Sequence, residues 1–564
     1  MERRFLQATP ILALFAMVFL VTPFGASVGG DIPAAPAASP ADRTLYNGIA
    51  LPEVWPPQAK DFPNDPQRPP YLVPPPKTIL IDVGRQLFVD DFLVEQTTLK
   101  RTFHQPKYYP NNPVLKPDQP WELTGRGAFA APFSDGVWYD AKEKTFKMWY
   151  YAGHSVGAVC YATSKDGIHW DKPKLDVEPG TNIVLRTGRD SGTVWLDPNP
   201  REPGERFKMA LWRGNFMLFR SPDGIHWTKA GEGAKTGDRS TFFHNPFRQR
   251  WVFSIRSDSR LGRSRHYWET PDFFQFSQAT RAQWVFWAAA DSADPPREDL
   301  KTRPQLYNLD CAAYESLLLG LFSVWRGDYR GAATEKGKEL LKLGHPKQNS
   351  VCVGFSRDGF HWDRPDRRPF MPVSEKMGDW NWGNVQSAAP CCLVVKDQLW
   401  FYVSGRAGKS FPGCPNLDAG ASTGLAMLRR DGFASMDAQD QPGTLTTRPV
   451  RFRGKHLFVN LDAPDGELKV EVLDEQGQAI APLGRDHCRA VRGDSTRQVV
   501  TWEGAKDMRE VAGRPVRFRF HLTRGSLYAF WITPDAAGAS FGYVAGGGPG
   551  IDGPMDVPDA VERR

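Results

Sequence analysis

Short segments in which apolar and polar residues alternate recur along most of this chain, and Gly, Asp, Asn or Pro residues separate them. Alternation with a period of two is typical of β-strands, and closely spaced turn residues indicate antiparallel hairpins. Examples are Phe146–Tyr151 and Phe207–Trp212. The 52 Gly and 48 Pro residues favour frequent turns over long helices. The pattern therefore predicts an all-β fold of many short strands.

A seven-residue turn is repeated between these segments. Ser164–Trp170 reads SKDGIHW, Ser221–Trp227 reads SPDGIHW and Ser356–Trp362 reads SRDGFHW, with weaker copies at Thr270–Phe276 and Arg429–Phe433. Asp-Gly between β-prone segments indicates a hairpin, and the aromatic residue after it would anchor the turn in the core. Five copies, each preceded by strands, predict a five-bladed β-propeller. We interpret the histidines as turn residues rather than metal ligands, and we expect no metal and no cofactor.

The regions outside the repeats differ in composition. With the propeller assigned to residues 79–440, the Pro-rich residues 28–78 are predicted to be a linker. Residues 445–535 alternate again between Gly and Asp turns, which predicts a C-terminal β-sandwich. Residues 536–564 are rich in Gly and Pro and are predicted to be a disordered tail.

The N-terminus has the pattern of an export signal. Arg3 and Arg4 precede the apolar stretch Ile11–Val21, and small residues follow at 25–27. We interpret residues 1–27 as a signal peptide, with an uncleaved anchor as the alternative. The apolar stretch is short for a transmembrane helix, so we expect an exported protein without stable membrane insertion.

Composition and charge narrow the classes of function. The 564 residues are 41% hydrophobic and 24% charged, which excludes a mostly disordered chain and a polytopic membrane protein. The net charge of +7 is spread over 71 basic and 64 acidic residues without a basic run, so we expect no nucleic-acid partner. The seven cysteines fit neither a zinc motif nor a small disulfide scaffold. Aromatic residues, at 12%, suit packed sheets or a sugar-stacking surface.

Carboxylates recur at one place in the predicted blades. The first strand of each blade lines the central funnel, and Asp135, Asp190 and Asp238 stand at equivalent positions in three consecutive blades. The fourth blade offers Asp310 or Glu315. Carboxylates that face one pocket raise each other's pKa, which is the arrangement that glycoside hydrolysis uses. The alternative is that each Asp caps a tight turn.

Residues in the same segments are candidates for substrate contacts. The indoles that flank an asparagine on a predicted loop of the fifth blade are candidates for stacking on a sugar ring. The arginines beside the carboxylates could bind an anion or pair with those carboxylates. The candidate substrate-binding residues are Arg189, Arg239, Asp310, Trp380, Asn381, Trp382, Asn384 and His104.

This organisation resembles the five-bladed β-propeller glycoside hydrolases, the superfamily of invertases, levanases, arabinanases and xylosidases (glycosyl hydrolase families 32 and 43). Asp135 matches by position the Asp that begins blade one in that superfamily. Arg189-Asp190 is similar to its Arg-Asp-Pro motif, with Ser191 in place of Pro. The chain lacks the Trp-Met-Asn-Asp-Pro-Asn-Gly and Glu-Cys motifs, and blade three offers Asp238 where the superfamily has a Glu.

The resemblance spans about residues 80–535 and implies a role for each carboxylate. Asp135 would be nucleophile or general base, Asp190 would orient the substrate and stabilise the transition state, and Asp238 or Glu315 would be the proton donor. Invertase-like members also carry a C-terminal β-sandwich. The resemblance implies an exported glycoside hydrolase that cleaves terminal sugars from oligo- or polysaccharides. The alternative is a non-catalytic propeller that binds carbohydrate.

The segment before the repeats resembles a second group. Phe88–Glu95 and Arg101–Pro106 are similar to the opening segment of exported family 32-like propellers, and Asn112–Leu115 is similar to mannoside phosphorylases. A phosphorylase would need clustered basic residues for phosphate, which Arg126, Arg189 and Arg239 could supply. Export argues against phosphorolysis, because phosphate esters are normally made inside the cell.

Overall fold

The computed structural model describes residues 43–59, 61–124, 127–153, 157–297, 299–300, 302–327, 334–343, 347–407 and 420–558. The predicted signal peptide, the first part of the predicted linker and Arg126 lie outside these residues. The fold is all-β, with 48% strand and 6% helix, as the alternating pattern predicts. Among the described residues, no helix is both long and apolar enough to cross a membrane.

Five short strands open the described chain, and three four-stranded antiparallel sheets follow them in sequence order. The opening strands are β1 (Ile79–Leu80), β2 (Gln86–Leu87), β3 (Val94–Thr97), β4 (Lys100–Phe103) and β5 (Lys107–Tyr108). The first sheet is β6 (Ala130–Asp140), β7 (Thr145–Ala152), β8 (Ala158–Ser164) and β9 (Ile183–Arg186). The second is β10 (Gly192–Leu196), β11 (Phe207–Arg213), β12 (Asn215–Ser221) and β13 (Thr228–Lys235). The third is β14 (Thr241–Asn245), β15 (Arg250–Ser259), β16 (Gly262–Thr270) and β17 (Val285–Ala289).

Two nine-stranded sheets contain the remaining strands except β1 and β27 (Val450–Arg451), which pair with each other in parallel. The first is β18 (Gln305–Glu315), β19 (Leu317–Gly327), β20 (Gln348–Ser356), β21 (Asn384–Ser387), β22 (Leu393–Val395), β23 (Gln398–Arg406) and β24 (Ala421–Arg429), with β5 and β32 (Tyr543–Val544). The second is β25 (Ala434–Ala438), β26 (Gly443–Thr447), β28 (His456–Leu473), β29 (Val491–Val500), β30 (Arg517–Thr523) and β31 (Gly525–Thr533), with β2, β3 and β4. Helix α1 (Glu335–Leu343) lies between β19 and β20. Short 3-10 helices occupy Pro70–Leu72, Pro120–Leu123, Pro203–Glu205, Phe273–Gln278, Arg281–Gln283, Arg485–His487 and Arg509–Val511.

The first strands of successive sheets form a nearly closed, barrel-like ring of β6, β10, β14, β18 and β21. Neighbouring strands of the ring are in contact, and the Ser387 hydroxyl of β21 donates to an Asp310 oxygen of β18 at 2.6 Å. Between the sheets lies one continuous apolar core, rich in aromatic rings. We name the end of the ring where its strands begin the ring mouth. The count of five blades stays a prediction.

The repeated turns join neighbouring sheets, as their aromatic residues suggest. In the first copy the Asp166 carboxylate accepts the backbone N–H groups of Ile168 and His169, at 2.9 and 2.8 Å. The His169 ring nitrogen lies 2.7 Å from the same carboxylate, so the histidine belongs to its own turn. Gly224 of the second copy has φ +83°, and a Cβ there would overlap the Trp149 indole of the first sheet. Glycine is needed at position 224 because the backbone is left-handed and the indole packs directly against it.

The predicted boundaries of the C-terminal domain and the linker need correction. Strands β2, β3 and β4, in residues 86–103, belong to the C-terminal sheet and not to the repeats. Tyr71 and Leu72, in the predicted linker, are buried in the core of this same sheet. Residues 445–535 alone would leave an unpaired edge strand and an exposed apolar face. Strands and apolar side chains of the N-terminal segment pair with that edge and cover that face. The structure gives one nine-stranded sheet, and its description as a sandwich stays a prediction.

The prediction of disorder after residue 535 is wrong for residues 536–558. Strand β32 pairs with the end of β18, and the Gly546 carbonyl accepts the Tyr139 N–H at 2.9 Å. A Cβ on Gly542 or Gly548 would overlap neighbouring atoms. The glycines therefore permit close packing rather than flexibility. Because residues 543–555 lie with the ends of the ring strands around one cavity, the tail covers the end opposite the ring mouth.

Candidate functional site

Polar residues from all five predicted blades converge at the ring mouth. Arg189 and Asp190 lie just before β10, separated from it by Ser191, and Asp238 and Arg239 lie just before β14. β6, β18 and β21 contribute residues from their first halves, namely Ser134, Asp135, Asn308, Asp310 and Asn384. The structure therefore brings together the carboxylates that the register predicts at one place, with the exception of Glu315.

Asp135 is fully occupied by an ion pair. Both of its oxygens accept from the Arg189 guanidinium, each at 2.5 Å, and neither side chain is exposed. The guanidinium also lies 4.5 Å from the centre of the Tyr151 ring. Gly192 leaves room for the pair, because a Cβ there would stand 2.5 Å from the carboxylate. The geometry corrects the predicted role of Asp135: a buried carboxylate with both oxygens bound cannot attack a substrate, so the residue positions Arg189.

Asp190 is the carboxyl group with free hydrogen-bonding capacity. Its backbone N–H donates to the Trp212 carbonyl at 3.1 Å, which fixes the residue at the start of β10. Its Oδ1 has no hydrogen-bond partner among the described residues. Burial, and then the nearby charge of Asp238, raise the pKa of Asp190. A raised pKa favours the protonated form of a carboxyl group, which is the form that general acid catalysis requires.

Asp238 has a different environment from Asp190. About a quarter of its side chain is exposed, at 26%. Its Oδ1 lies 3.3 Å from the Arg263 guanidinium and 3.5 Å from that of Arg256. Asp238 therefore lies beside two guanidinium groups, whereas Oδ1 of Asp190 has no hydrogen-bond partner among the described residues. The ring mouth therefore holds two carboxyl groups in different surroundings: Asp190 has an unpartnered buried oxygen, and Asp238 is partly exposed beside two guanidinium groups.

Asp310 and Arg239 form buried hydrogen bonds that connect different strands of the ring. One Asp310 oxygen accepts from Ser134, Asn308 and Ser387, at 2.9, 2.9 and 2.6 Å. The Arg239 guanidinium donates to the Phe133 carbonyl and to the Ser134 hydroxyl, both at 2.9 Å. Both residues are buried, and both were predicted to contact substrate. The structure shows them instead as buried residues whose hydrogen bonds connect the strands that carry Asp190 and Asp238.

Glu315, predicted as a possible proton donor, is at the wrong end of the ring. The eleven residues of β18 carry it to the end that the tail covers. Its oxygens accept from Arg430 at 3.0 Å, from the Arg85 N–H at 3.1 Å and from the Ser540 hydroxyl at 2.7 Å. The side chain is not exposed. Glu315 therefore holds the tail against the ring, and the prediction of a catalytic role is wrong.

Replacing Glu315 distinguishes a structural role of this residue from a catalytic one. We expect Glu315→Ala to lower the free energy of unfolding by about 2–5 kcal/mol, because Ala leaves a cavity and removes the acceptor of three buried donors. Turnover by the folded protein should be unchanged. Urea unfolding and an activity assay, with the exposed Glu475→Ala as control, measure the two effects. Loss of turnover at wild-type stability would restore Glu315 to the catalytic set.

The predicted stacking residues are packed within the protein. Trp380 packs across Gly405 and Gly424, with its ring 5.5 Å from that of Tyr108. Trp382 and Asn381 are buried, at 2% and 6% exposure. Trp380 packs on the sheet formed by β23 and β24, which explains this indole without a sugar.

His104 and Asn384 also have structural partners. His104 belongs to the C-terminal sheet, where its ring lies 2.7 Å from the Ser435 hydroxyl and against Tyr528. The prediction that His104 contacts substrate at the funnel is therefore wrong. Asn384 remains near the ring mouth, buried, and its amide donates to the Lys347 carbonyl at 2.5 Å.

Two charged residues of the site were missed in the sequence. Lys347 directly precedes β20, and Arg406 ends β23, and the charges of both act on Asp190. They belong to the second and third strands of their sheets, so a search of first strands alone passes over them. In an antiparallel sheet the strand next to a first strand ends where the first strand begins. Residues at the ends of these neighbouring strands therefore also lie at the ring mouth and should be included in the search.

Comparison with known proteins gives distant structural similarity. No family model matches the chain, and no curated protein matches it. Among solved structures the chain is similar to a β-fructofuranosidase from Schwanniomyces occidentalis, with 9% identity and a TM-score of 0.36 over 76% of this chain and 96% of that chain. It is also similar to an exo-β-1,3-galactanase from Phanerochaete chrysosporium, with 10% identity and a TM-score of 0.33 over 74% and 99% of the two chains. These values are too low to carry an inference, so function is argued from the site of this chain.

Proposed function

We propose that the protein is a glycoside hydrolase in which Asp190 is the general acid and Asp238 is the second carboxylate. The observation that carries the proposal is the unpartnered Oδ1 of Asp190, a carboxyl group whose pKa is raised by burial and by Asp238. The two residues lie just before neighbouring strands of the ring, so their carboxyl groups come from adjacent segments at the ring mouth.

The chemistry follows from these environments. Asp190 gives its proton to the glycosidic oxygen as the bond to the anomeric carbon breaks. Asp238 either takes a proton from the water that attacks the anomeric carbon or attacks that carbon itself. Arg256 and Arg263 lie beside Asp238 and hold its carboxylate in position for this step. The anomer released first distinguishes inversion from retention.

The closed end of the ring favours attack at chain ends. Residues 543–555 cover the end opposite the site, so a glycan enters and leaves through the ring mouth alone. A terminal sugar fits such a one-sided funnel better than the middle of a polymer. We further propose a five-bladed propeller followed by a β-sandwich, and export directed by residues 1–27.

The acid role of Asp190 predicts a specific pH dependence. The Lys347 charge lowers the pKa of Asp190, so Lys347→Gln should raise that pKa. A general acid must be protonated, and kcat/KM therefore falls as pH rises through its pKa. We expect the alkaline limb of the kcat/KM profile to move to higher pH in Lys347→Gln. The exposed Lys100→Gln is the matched control, and an unmoved limb would contradict the assignment.

A hydrolysis screen tests the proposed function. The full-length chain is incubated with aryl glycosides and with plant and algal oligosaccharides, and products are followed by NMR. Release of a monosaccharide that disappears in Asp190→Asn supports the proposal. Binding of the same glycans without release, unchanged in that variant, supports the alternative of a non-catalytic carbohydrate-binding protein.

A further inference from the structure

A cavity of about 640 Å³ lies apart from the site at the ring mouth. Its walls are residues 61–72 of the N-terminal segment, strand β17, and residues 360–367 at the end of the repeated turn Ser356–Trp362 and just after it. Cavities that bind small ligands have volumes of about 300–1,000 Å³. We name this space the turn cavity.

The turn cavity is far from the ring mouth. Because β18 and β20 both pair antiparallel with β19, β20 runs in the same direction as β18 and begins at the ring mouth. Asp363 in the cavity wall pairs with Phe355, which is seven residues after Gln348, the first residue of β20. At about 3.3 Å per residue this separation is about 23 Å. A ligand in the turn cavity would therefore leave the proposed active site free.

Contacts hold the N-terminal segment in place as one wall of the cavity. The Asn64 carbonyl accepts the Ser292 N–H at 2.7 Å, and the Asp65 carboxylate accepts the Ser292 hydroxyl at 2.9 Å. The Phe62 ring meets the Phe286 ring of β17 edge to face, with 4.9 Å between their centres. The cavity is therefore formed before a ligand binds, which lowers the cost of binding.

Aromatic rings line the turn cavity. Phe286 of β17 and Trp362 of the repeated turn are both partly exposed in its wall. The Trp362 indole packs against Trp287, with 5.9 Å between ring centres, which restricts its orientation. The Trp362 Nε1–H has no hydrogen-bond partner in the part of the chain that the structure describes. Fixed aromatic rings suit a ligand that has an apolar face and a polar edge, as a sugar ring has.

Asp363 supplies a hydrogen-bond acceptor beside these rings. Among the described residues its carboxyl group has neither a hydrogen bond nor an ion pair. Burial, and then the nearby charge of Asp90, raise the pKa of Asp363 to about 6. Asp90 itself is paired with Arg357 at 2.7 Å. The two oxygens of a carboxylate can accept from two neighbouring hydroxyl groups of a sugar.

The first copy of the turn provides a comparison for Asp363. Asp171 occupies the same position there, and each of the two residues exchanges backbone hydrogen bonds with the strand before its turn. Asp171 is exposed, whereas Asp363 is partly buried in the wall of the turn cavity. Asp171 is therefore a matched control for substitutions of Asp363.

The other charged groups of the turn cavity favour a neutral ligand. The four arginines that line it each lie within 4.0 Å of a carboxylate oxygen. The pairs are Arg68 and Arg101 with Asp91, Arg364 with Asp294, and Arg367 with Asp291. A cationic ligand would meet these guanidinium groups, and an anionic ligand would meet Asp363 or have to displace a carboxylate. A neutral polyol has neither disadvantage.

We propose that the turn cavity binds a neutral saccharide at a site separate from the ring mouth. Asp363 accepts hydrogen bonds from two neighbouring hydroxyl groups, and the rings of Trp362 and Phe286 contact the apolar face of the sugar. A glycan held in the turn cavity stays on the protein while chain ends enter the ring mouth. This inference adds a binding site to the proposed function and does not depend on hydrolysis.

Electrophoresis in gels that contain a polysaccharide tests the proposal by binding alone. The starting protein is Asp190→Asn, which keeps the gel matrix intact, and the neutral probes are xylan, arabinan, galactan, laminarin and inulin. We expect at least one probe to retard the protein, and adding Asp363→Asn should weaken that binding about tenfold. Adding Asp171→Asn should leave the retardation unchanged. Ala289→Trp, which fills the cavity from β17, should abolish it. The Tm of each variant shows that it is folded.

Three results would overturn the proposal: no retardation by any neutral probe, retardation that Asp363→Asn leaves unchanged, or retardation by the charged glycans chitosan or polygalacturonate alone. The second result would place the glycan at the ring mouth.

Hydrolysis of soluble aryl glycosides separates this inference from the proposed function. Their turnover should be the same in Asp363→Asn and in the wild type, and its loss would mean that the turn cavity is not a separate binding site. Binding that depends on Asp363, without hydrolysis in the wild type, would reject the hydrolase and support the saccharide site.

Discussion

Replacing Asp190 by Asn is expected to lower kcat by about 10²–10⁴-fold, the usual contribution of a positioned general acid. Asparagine keeps the shape of the side chain and has no proton to give to the leaving oxygen. The Asp190 Oδ1 has no partner among the described residues, so no hydrogen bond of the described site is lost with its charge. Steady-state kinetics on the substrate found by the screen measures the change.

The thermal stability of Asp190→Asn shows whether its loss of activity is a loss of folding. The folded protein binds the Asp190 proton more tightly than the unfolded chain does, because burial and Asp238 raise the pKa of Asp190. The stabilisation from that proton is present at low pH and is lost as pH rises through the folded-state pKa. At neutral pH the uncharged Asn should therefore give a Tm no lower than the wild type. A lower Tm with a matching loss of activity would mean that Asp190 is structural.

The Asp135→Asn variant is expected to lose stability, by about 3–5 kcal/mol in the free energy of unfolding. The substitution leaves the Arg189 guanidinium buried beside a neutral amide, because neither side chain of the pair is exposed. An uncompensated buried charge is among the costliest single changes in a protein. Urea unfolding monitored by tryptophan fluorescence gives the difference, with the exposed Asp465→Asn as matched control.

A double variant tests whether the uncompensated charge of Arg189 causes the loss of stability. Asp135→Leu combined with Arg189→Met removes both charges at similar volume, so it should be more stable than Asp135→Asn. Wild-type stability of Asp135→Asn with complete loss of turnover would contradict the ion-pair account. It would instead support the nucleophile role that the resemblance implies for Asp135.

The sequence predicts the place of the site better than its chemistry. The repeated turns set a register, and the register places Asp135, Asp190 and Asp238 at one end of the ring, where the structure has them. Whether a carboxylate is free depends on a partner far along the chain. Arg189 stands 54 residues from Asp135, and no local pattern shows that the two face each other.

Other misplaced residues share one physical cause. Glu315 lies on a first strand, but the length of β18 and the return of the tail decide at which end it lies. His104 lies in a segment that resembles the start of a propeller, and strand pairing carries that segment to the C-terminal sheet. Composition predicts disorder for the Gly-rich tail, although its glycines allow close packing. In each case tertiary pairing decides the outcome.

The dependence of rate on the leaving group tests the central claim most directly. Aryl glycosides of one sugar are compared in the wild type and in Asp190→Asn, from 2,4-dinitrophenyl to 4-methoxyphenyl leaving groups. A 2,4-dinitrophenolate departs without a proton, whereas 4-methoxyphenolate needs one. The account predicts that the variant loses little kcat/KM on the first and at least about 10²-fold more on the second. The same loss on both substrates would contradict the assignment of Asp190 as the general acid.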